Sequence, residues 1–244
     1  MDDRAVRVQK ILSTLGICSR RKAEQMILDK RVKINGVIAG LGDKADILND
    51  SLTLDDSPIS QPAKQTKTYI AFNKPKACIC AISDDRGRKT VLDYLSDVDK
   101  SIYPVGRLDY NTEGLLLLTN DGDFAYKMTH PKHRIRKVYE VTLKGEVTSS
   151  QVEKLNQPML IDGYKTIPSK VRIKAILDKK TILEFTLLEG RNRQIRKMCE
   201  QVGIRIASLK RVAIGDVRLS GLKSEMWRNL SKIELDRLKK TFDF

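Results

Sequence analysis

One carboxylate in this chain stands where chemistry is usually done. Asp109 closes Gly106-Arg107-Leu108-Asp109, and after a polar turn comes the apolar run Leu115-Leu116-Leu117-Leu118, which reads as a buried strand. An acidic side chain is thus set at the mouth of a core strand, on a loop, where catalytic groups concentrate. Asp109 has no obvious partner for acid hydrolysis, metal binding or a Ser/His/Asp relay, so a carboxylate acting alone, as a nucleophile, is the chemistry to test. A structural alternative stands beside it. Asp109, Asn111 and Thr112 all bond nearby backbone amides, and the aspartate could simply cap a turn.

Two further segments bear on Asp109. In Gly190-Arg191-Asn192-Arg193-Gln194-Ile195-Arg196-Lys197-Met198-Cys199, the apolar Ile195, Met198, Cys199 and Val202 make one helical stripe, with Gly203 as its C-cap. At about 100° per residue, Arg193 and Lys197 point away from the stripe and suit phosphate contacts, while Arg196 sits at its flank, half buried. An arginine there would keep a recessed carboxylate ionised and fixed in direction, which makes Arg196 the best partner for Asp109. Tyr139 alternates with Val141 and Leu143 and so shares their inward face on a strand. It serves either as plain core or as a flat surface for an extruded base.

These residues need a scaffold, and 244 residues with 41% hydrophobic content suffice for a small and a larger domain. A net charge of +15 makes an anionic polymer the natural partner, nucleic acid first, because neutralising phosphates releases counterions. A membrane surface is the rival, but no apolar stretch approaches about 18 residues and Met1-Asp2-Asp3-Arg4 opens no signal segment, so a cytosolic protein is expected. Cys18, Cys78, Cys80 and Cys199 lack paired spacing and read as reduced. His130 and His133, in Thr-His-Pro-Lys-His, suit a surface or phosphate contact better than a metal.

Near the N-terminus, Val8, Ile11, Leu12 and Leu15 lie on one helix face that Gly16 closes. Ser19 caps a second helix with Ala23, Met26 and Ile27 inward, and Val32-Lys33-Ile34 leads into the hairpin signal Asn35-Gly36. Arg20, Arg21 and Lys22 crowd the first turn of that second helix, where the macrodipole disfavours cations. A phosphate backbone would offset the repulsion, and Lys30, Arg31 and Lys33 extend the same surface. The alternative is a solvated charged face.

Residues 57–68, rich in proline and polar side chains, read as a linker. Beyond it come short strands at Tyr69 to Phe72, Cys78 to Ile82, Leu115 to Leu118, Lys137 to Leu143, Ile182 to Leu188 and Ile204 to Ile214, with helical periods between some of them. The order does not alternate strictly, so an α+β domain with a largely antiparallel or mixed sheet is expected. No Walker A run or GxGxxG is present, which leaves nucleoside triphosphate and dinucleotide binding unsupported. Asp121-Gly122-Asp123 lacks the alternating oxygens of a calcium loop, and Asp121 reads instead as the cap of a helix holding Phe124 and Met128.

With these residues in view, the sequence closely resembles the RsuA-like family of ribosomal RNA pseudouridine synthases. The resemblance is carried by Ser19-Arg20-Arg21-Lys22-Ala23, typical of the RNA-binding domain named after ribosomal protein S4, and by Asn73-Lys74-Pro75 and Gly106 to Gly122. Lys137-Val138-Tyr139, Gly190 to Arg196 and Leu209-Lys210-Arg211-Val212 complete it. It runs from about Arg7 into a final helix begun by the capping box of Ser231 and Glu234. The resemblance implies a domain over residues 1–60, a linker over 61–68, and a catalytic domain over 69–244 with a mixed, mostly antiparallel sheet in two subdomains around a cleft.

It also implies that Asp109 is the catalytic aspartate, Tyr139 the stacking tyrosine and Arg196 the aspartate's basic partner. Arg107, Arg193 and Lys197 would hold neighbouring phosphates, and no cofactor or metal is called for. The expected reaction turns uridine into pseudouridine, with large-subunit ribosomal RNA preferred over small-subunit RNA and a monomer as the default. A non-enzymatic ribosome-assembly factor is the competing class, yet binding alone asks for cations and not for a recessed carboxylate, which repels RNA. An RNA methyltransferase would need a glycine-rich cofactor loop, which is absent. Ala77 departs from the family, which usually has glycine there, and this bears on the backbone angles of the Pro75 turn.

Overall fold

The computed structural model describes residues 5–59, 66–98, 101–178 and 180–242. The chain divides between Thr66 and Lys67 into two compact units. Of the expected linker, residues 61–65 lie outside the described residues. Lys67 and Thr68 already belong to the second unit: Lys67 ion-pairs with Asp121, and Thr68 donates from its N–H to Asn120 and accepts from the Thr119 hydroxyl.

The first unit begins with β1 (Val6–Arg7), α1 (Val8–Thr14) and α2 (Arg20–Leu28). Ser19 caps α2 as its residue type requires, accepting from Lys22 N at 3.3 Å. Strands β2 (Val32–Ile34), β3 (Val37–Ile38), β4 (Lys44–Ala45), β5 (Leu52–Leu54) and β6 (Ser57–Pro58) follow. Asn35 and Gly36, at φ +50° and +82°, make the two-residue turn that joins β2 to β3. Val8, Ile11, Leu12, Ala23, Ile27, Val32 and Leu52 form the core of this unit.

In the second unit come β7 (Tyr69–Lys74), β8 (Tyr103–Val105), β9 (Glu113–Thr119), α3 (Gly122–Thr129), β10 (Lys137–Lys144), α4 (Ser149–Asn156), β11 (Leu160–Ile161) and β12 (Tyr164–Lys165). They are followed by β13 (Lys170–Leu177), β14 (Lys180–Leu187), α5 (Gln194–Gln201), β15 (Ile206–Ile214), β16 (Val217–Arg218), β17 (Trp227–Asn229) and α6 (Lys232–Phe242). One nine-stranded sheet runs β13-β14-β10-β15-β9-β7-β17, with β16 beside β15 and β8 beside β9. Among the described residues its strands pair antiparallel except β9 with β15, a short parallel joint of Lys210 with Glu113 and Arg211 with Gly114. That joint divides the mixed sheet into two halves.

The continuous apolar run of β9 follows from its central place. Leu116 and Leu118 pack into one core with Phe72, Val141 and Phe185, while Leu115 and Leu117 pack on the other face with Phe124, Met128 and Leu238. One expected strand is absent: at 78–82 the backbone is irregular apart from a bridge between Ile79 and Thr90. Cys78 and Cys80 face the core from a loop that follows the Pro75 turn, where Ala77 sits at φ +56°, while Ile82 is exposed. The strand expected from Ile204 starts at Ile206, because Gly203 at φ +74° and Ile204 N, which bonds Cys199 O at 2.8 Å, are used to close α5.

Candidate active site

The loop from Gly106 to Thr112 leaves β8 and enters β9, so a paired strand holds each of its ends. Its interior is held by a residue that the sequence did not mark for the task. Lys74, last of β7, is fully buried, and its ammonium donates to Pro75 O and Thr112 O at 2.9 Å, Asp109 O at 3.3 Å and Tyr110 O at 3.4 Å. Burial draws this ammonium below its ordinary pKa, with the charges of neighbouring groups including Asp109 pulling the other way. From a second side, the Cys80 thiol accepts from Leu108 N at 3.3 Å. From a third, Arg196 Nη2 donates to Asn111 O at 3.2 Å and Thr112 Oγ1 at 3.3 Å.

Arg196 therefore meets the Asp109 loop at its backbone and a threonine, while its Nε is buried without a partner among the described residues. The Asp109 side chain is half buried and lines a cavity of about 480 Å³. Among the described residues no side chain hydrogen-bonds or ion-pairs with its carboxylate. Tyr139, 8% exposed, lines the same cavity from β10, as its place in the strand alternation requires. Arg211 of β15, directly across from Tyr139, reaches in beside it. The wall carrying Asp109 thus comes from one half of the sheet, and the wall carrying Tyr139 and Arg211 from the other.

The approach to α5 supplies a further wall. Gln194, 3% exposed, accepts from Arg191 N at 3.1 Å and donates to Glu189 at 3.0 Å, and Glu189 also accepts from Ile167 N at 3.0 Å. This clasp presents Arg191 and Arg193 to the cavity, with Arg193 at φ +52°. Arg107 and Arg134 line it as well, both exposed. The charged residues of the lining are cationic apart from Asp109 and Glu189, which suits a polyanion. Lys197 lies outside it. Because Arg193 precedes the first helical turn, the two do not share a helix face, and the Lys197 ammonium ion-pairs with Asp162 in the turn between β11 and β12.

In the first unit, Arg20, Arg21 and Lys22 are exposed on α2. Arg31 and Lys33 are instead held by the turn between β5 and β6, Arg31 by two bonds to Asp55 and Lys33 by an ion pair with Asp56. Burial pushes the Cys78 thiol up to about 11 and that of Cys199 up to about 12, so both are protonated at neutral pH. Among the described residues no three His, Cys, Asp or Glu side chains stand together as metal ligands. No described helix is long and apolar enough to cross a membrane.

Comparison with known proteins supplies the decisive observation: residues 68–201 match the family model described as RNA pseudouridylate synthase, and residues 6–50 match that of the S4 domain. The chain belongs to the RNA pseudouridylate synthase family. It is 39% identical over 240 residues to a Bacillus subtilis protein named ribosomal large subunit pseudouridine synthase B, covering 97% of each chain. A Salmonella typhi protein named dual-specificity RNA pseudouridine synthase RluF is 34% identical over 235 residues, covering 96% of this chain and 79% of its own. A solved structure described as a pseudouridylate synthase superposes with a TM-score of 0.67 at 30% identity, over 96% of this chain and 99% of that one. The synthase is thus an isomerase, with its RNA-binding S4 domain inside the first unit and the cavity inside the second.

Proposed function

We propose that this synthase converts a uridine of large-subunit ribosomal RNA to pseudouridine, with Asp109 as the catalytic carboxylate. The observation that carries the assignment is the placement of Asp109: its loop is held at the backbone by Lys74, Cys80 and Arg196, while its carboxylate has no partner among the described residues and lines the cavity. Such a group is oriented yet free to react.

In this reading the target uridine leaves the RNA stack, at a cost of a few kcal/mol, and stacks on Tyr139, which returns roughly 1–3 kcal/mol. Asp109 then attacks the sugar or the base, or removes a sugar proton. Arg196 fixes the loop from which Asp109 acts. Arg107 and Arg193 hold phosphates beside the cavity, and Arg20, Arg21 and Lys22 hold RNA on the S4 domain.

The large-subunit preference is supported by the name of the Bacillus subtilis relative. A ribosomal RNA substrate puts the reaction in ribosome biogenesis, and we infer a cytoplasmic enzyme. One chain supplies Asp109, Tyr139 and the cations around them, so a monomer suffices. The test is tritium release from carbon-5-labelled uridine in large- and small-subunit ribosomal RNA, comparing wild type with Asp109→Asn, which keeps the shape and removes the charge. Release from large-subunit RNA by the wild type alone is expected. Wild-type rates in Asp109→Asn would remove the assignment, and release only from small-subunit RNA would overturn the substrate.

A further inference from the structure

Beneath Tyr139 the sheet register gathers two cations that the reaction as described leaves without a task. Lys137 and Tyr139 stand two apart on β10 and share a face, and Arg211 is the cross-strand neighbour of Tyr139 on β15. Arg211 is 4% exposed; its Nε donates to Leu115 O at 2.7 Å, while Nη2 is buried with no partner among the described residues. Lys137 is half buried and donates to Ile135 O at 2.9 Å, which occupies one of its three N–H donors. No carboxylate among the described residues pairs with it.

Several charged groups share the cavity with Lys137: Arg107 and Asp109 before β9, Arg134 before β10, and Glu189, Arg191 and Arg193 before α5. Burial, and secondarily the charge of Arg211, bring the Lys137 ammonium down to about 8. Two neighbouring cations, desolvated and without an acid between them, do not stabilise a fold. They suit a site that meets negative charge only during turnover.

The isomerisation proposed above creates such charge, and the inference rests on that reading. If the N1–C1′ bond breaks first, its electron pair leaves with the base; if Asp109 adds to the base, the displaced pair moves into the ring. Each route loads the uracil ring and its carbonyl oxygens with negative charge. After the base turns, C5 bonds to C1′, the C5 proton leaves to solvent and N1 gains a proton, so the sum is an isomerisation. We propose that Lys137, with Arg211 beside it, forms a cationic floor that stabilises the uracil anion between bond breaking and bond making, Lys137 donating to a base carbonyl oxygen.

The test compares wild type, Asp109→Asn, Lys137→Met and Lys137→Arg by tritium release across pH 6 to about 10, with melting temperatures alongside. Loss of one preorganised donor to a developing anion lowers kcat about 100-fold or more, so Lys137→Met is expected to fall by that amount with KM for RNA little changed. Wild-type kcat is expected to be level well below pH 8, to stand near half its plateau at about pH 8 and to decline further above it as the ammonium is lost. Lys137→Arg keeps its charge and holds kcat through that range. Removing an unpaired, half-buried charge leaves the melting temperature of Lys137→Met at or above wild type, which separates this effect from unfolding. Wild-type kcat in Lys137→Met, or an alkaline decline in Lys137→Arg that matches the wild type, overturns the floor. Loss of release in Asp109→Asn alone leaves the isomerisation reading standing without it, whereas no release by the wild type removes both.

Discussion

Gly114 and Arg211 face each other across the parallel joint of β9 and β15 so closely that a methyl group on Gly114 would lie 2.2 Å from Arg211 O. Gly114 also sits at φ +107°, a conformation that side chains rarely adopt. The two halves of the sheet meet here, one leading back to Asp109 and the other bearing Tyr139. Gly114→Ala is therefore expected to lose about 3 kcal/mol, from overpacking and backbone strain together, and to lower turnover steeply. A urea denaturation midpoint equal to wild type would show that the joint opens without cost.

Lys74 acts on the same loop from below. Replacing it with methionine keeps much of the chain length but strips four carbonyls of their shared donor, so the loop from Asp109 to Thr112 should loosen. About 2 kcal/mol of stability is at stake, since hydrogen bonds from a charged donor contribute roughly 1.5–3 kcal/mol and relief of its burial offsets part of that. The larger effect is on chemistry: a carboxylate displaced by about 1 Å loses on the order of 100-fold in rate. Single-turnover kinetics on Lys74→Met should show that loss with RNA affinity preserved, and a wild-type single-turnover rate would deny Lys74 this positioning role.

How much of this was legible in the sequence divides along a physical line. Features set by neighbours in the chain read correctly: the Ser19 cap, the Asn35-Gly36 turn, the apolar stripe of α5 and the Asp121 cap of α3. Features made by distant strands did not. The burial of Lys74 depends on a loop 35 residues on. The closeness of Gly114 to Arg211 depends on the register of two strands far apart in the chain. Helical spacing placed Arg196 at the flank of the stripe and pointed to it as partner of the Asp109 carboxylate, whereas tertiary packing turns its Nη2 to Asn111 O and Thr112 Oγ1 instead. The apolar run at 78–82 misled because apolar composition alone does not tell a strand from a loop that buries Cys78 and leaves Ile82 exposed.

Ala77 provides a stability test away from the reaction. Its φ of +56° costs a side-chain residue roughly 1–2 kcal/mol, whereas glycine adopts it freely and loses about 0.4–1 kcal/mol through unfolded-chain entropy. Ala77→Gly is expected to raise stability by up to about 1 kcal/mol with unchanged turnover. Destabilisation on urea titration would mean that the Pro75 turn draws more from the alanine methyl than its backbone angle costs.

Asp121 sets a pH dependence. Burial alone would raise its pKa, but bonds from Lys67, Tyr69 and the Phe124 amide hold the carboxyl below its usual 3.8. A depressed folded pKa means that the ionised form contributes stability fully above about pH 3.8 and loses it as pH falls through the folded value. The stability difference between wild type and Asp121→Asn should therefore be largest at neutral pH and shrink below about pH 4. Chemical denaturation at pH 7 and pH 3 checks this, and a difference that grows in acid would contradict the sign.

The cations of the S4 domain separate by their present partners. Arg20, Arg21 and Lys22 are exposed at the start of α2, where the helix dipole gives them no support, whereas Arg31 and Lys33 are held by Asp55 and Asp56. A phosphate gains from the first group a cation that no described acid holds, but must displace an acid to gain one from the second. Replacing Arg20, Arg21 and Lys22 with alanine should weaken RNA binding and reduce the slope of log affinity against log salt by about 1 for every phosphate left without its cation. Replacing Arg31 and Lys33 should change that slope less. Filter binding from 50 to about 300 mM salt distinguishes the two sets, and equal slopes would mean that RNA releases the Asp55 and Asp56 pairs on docking.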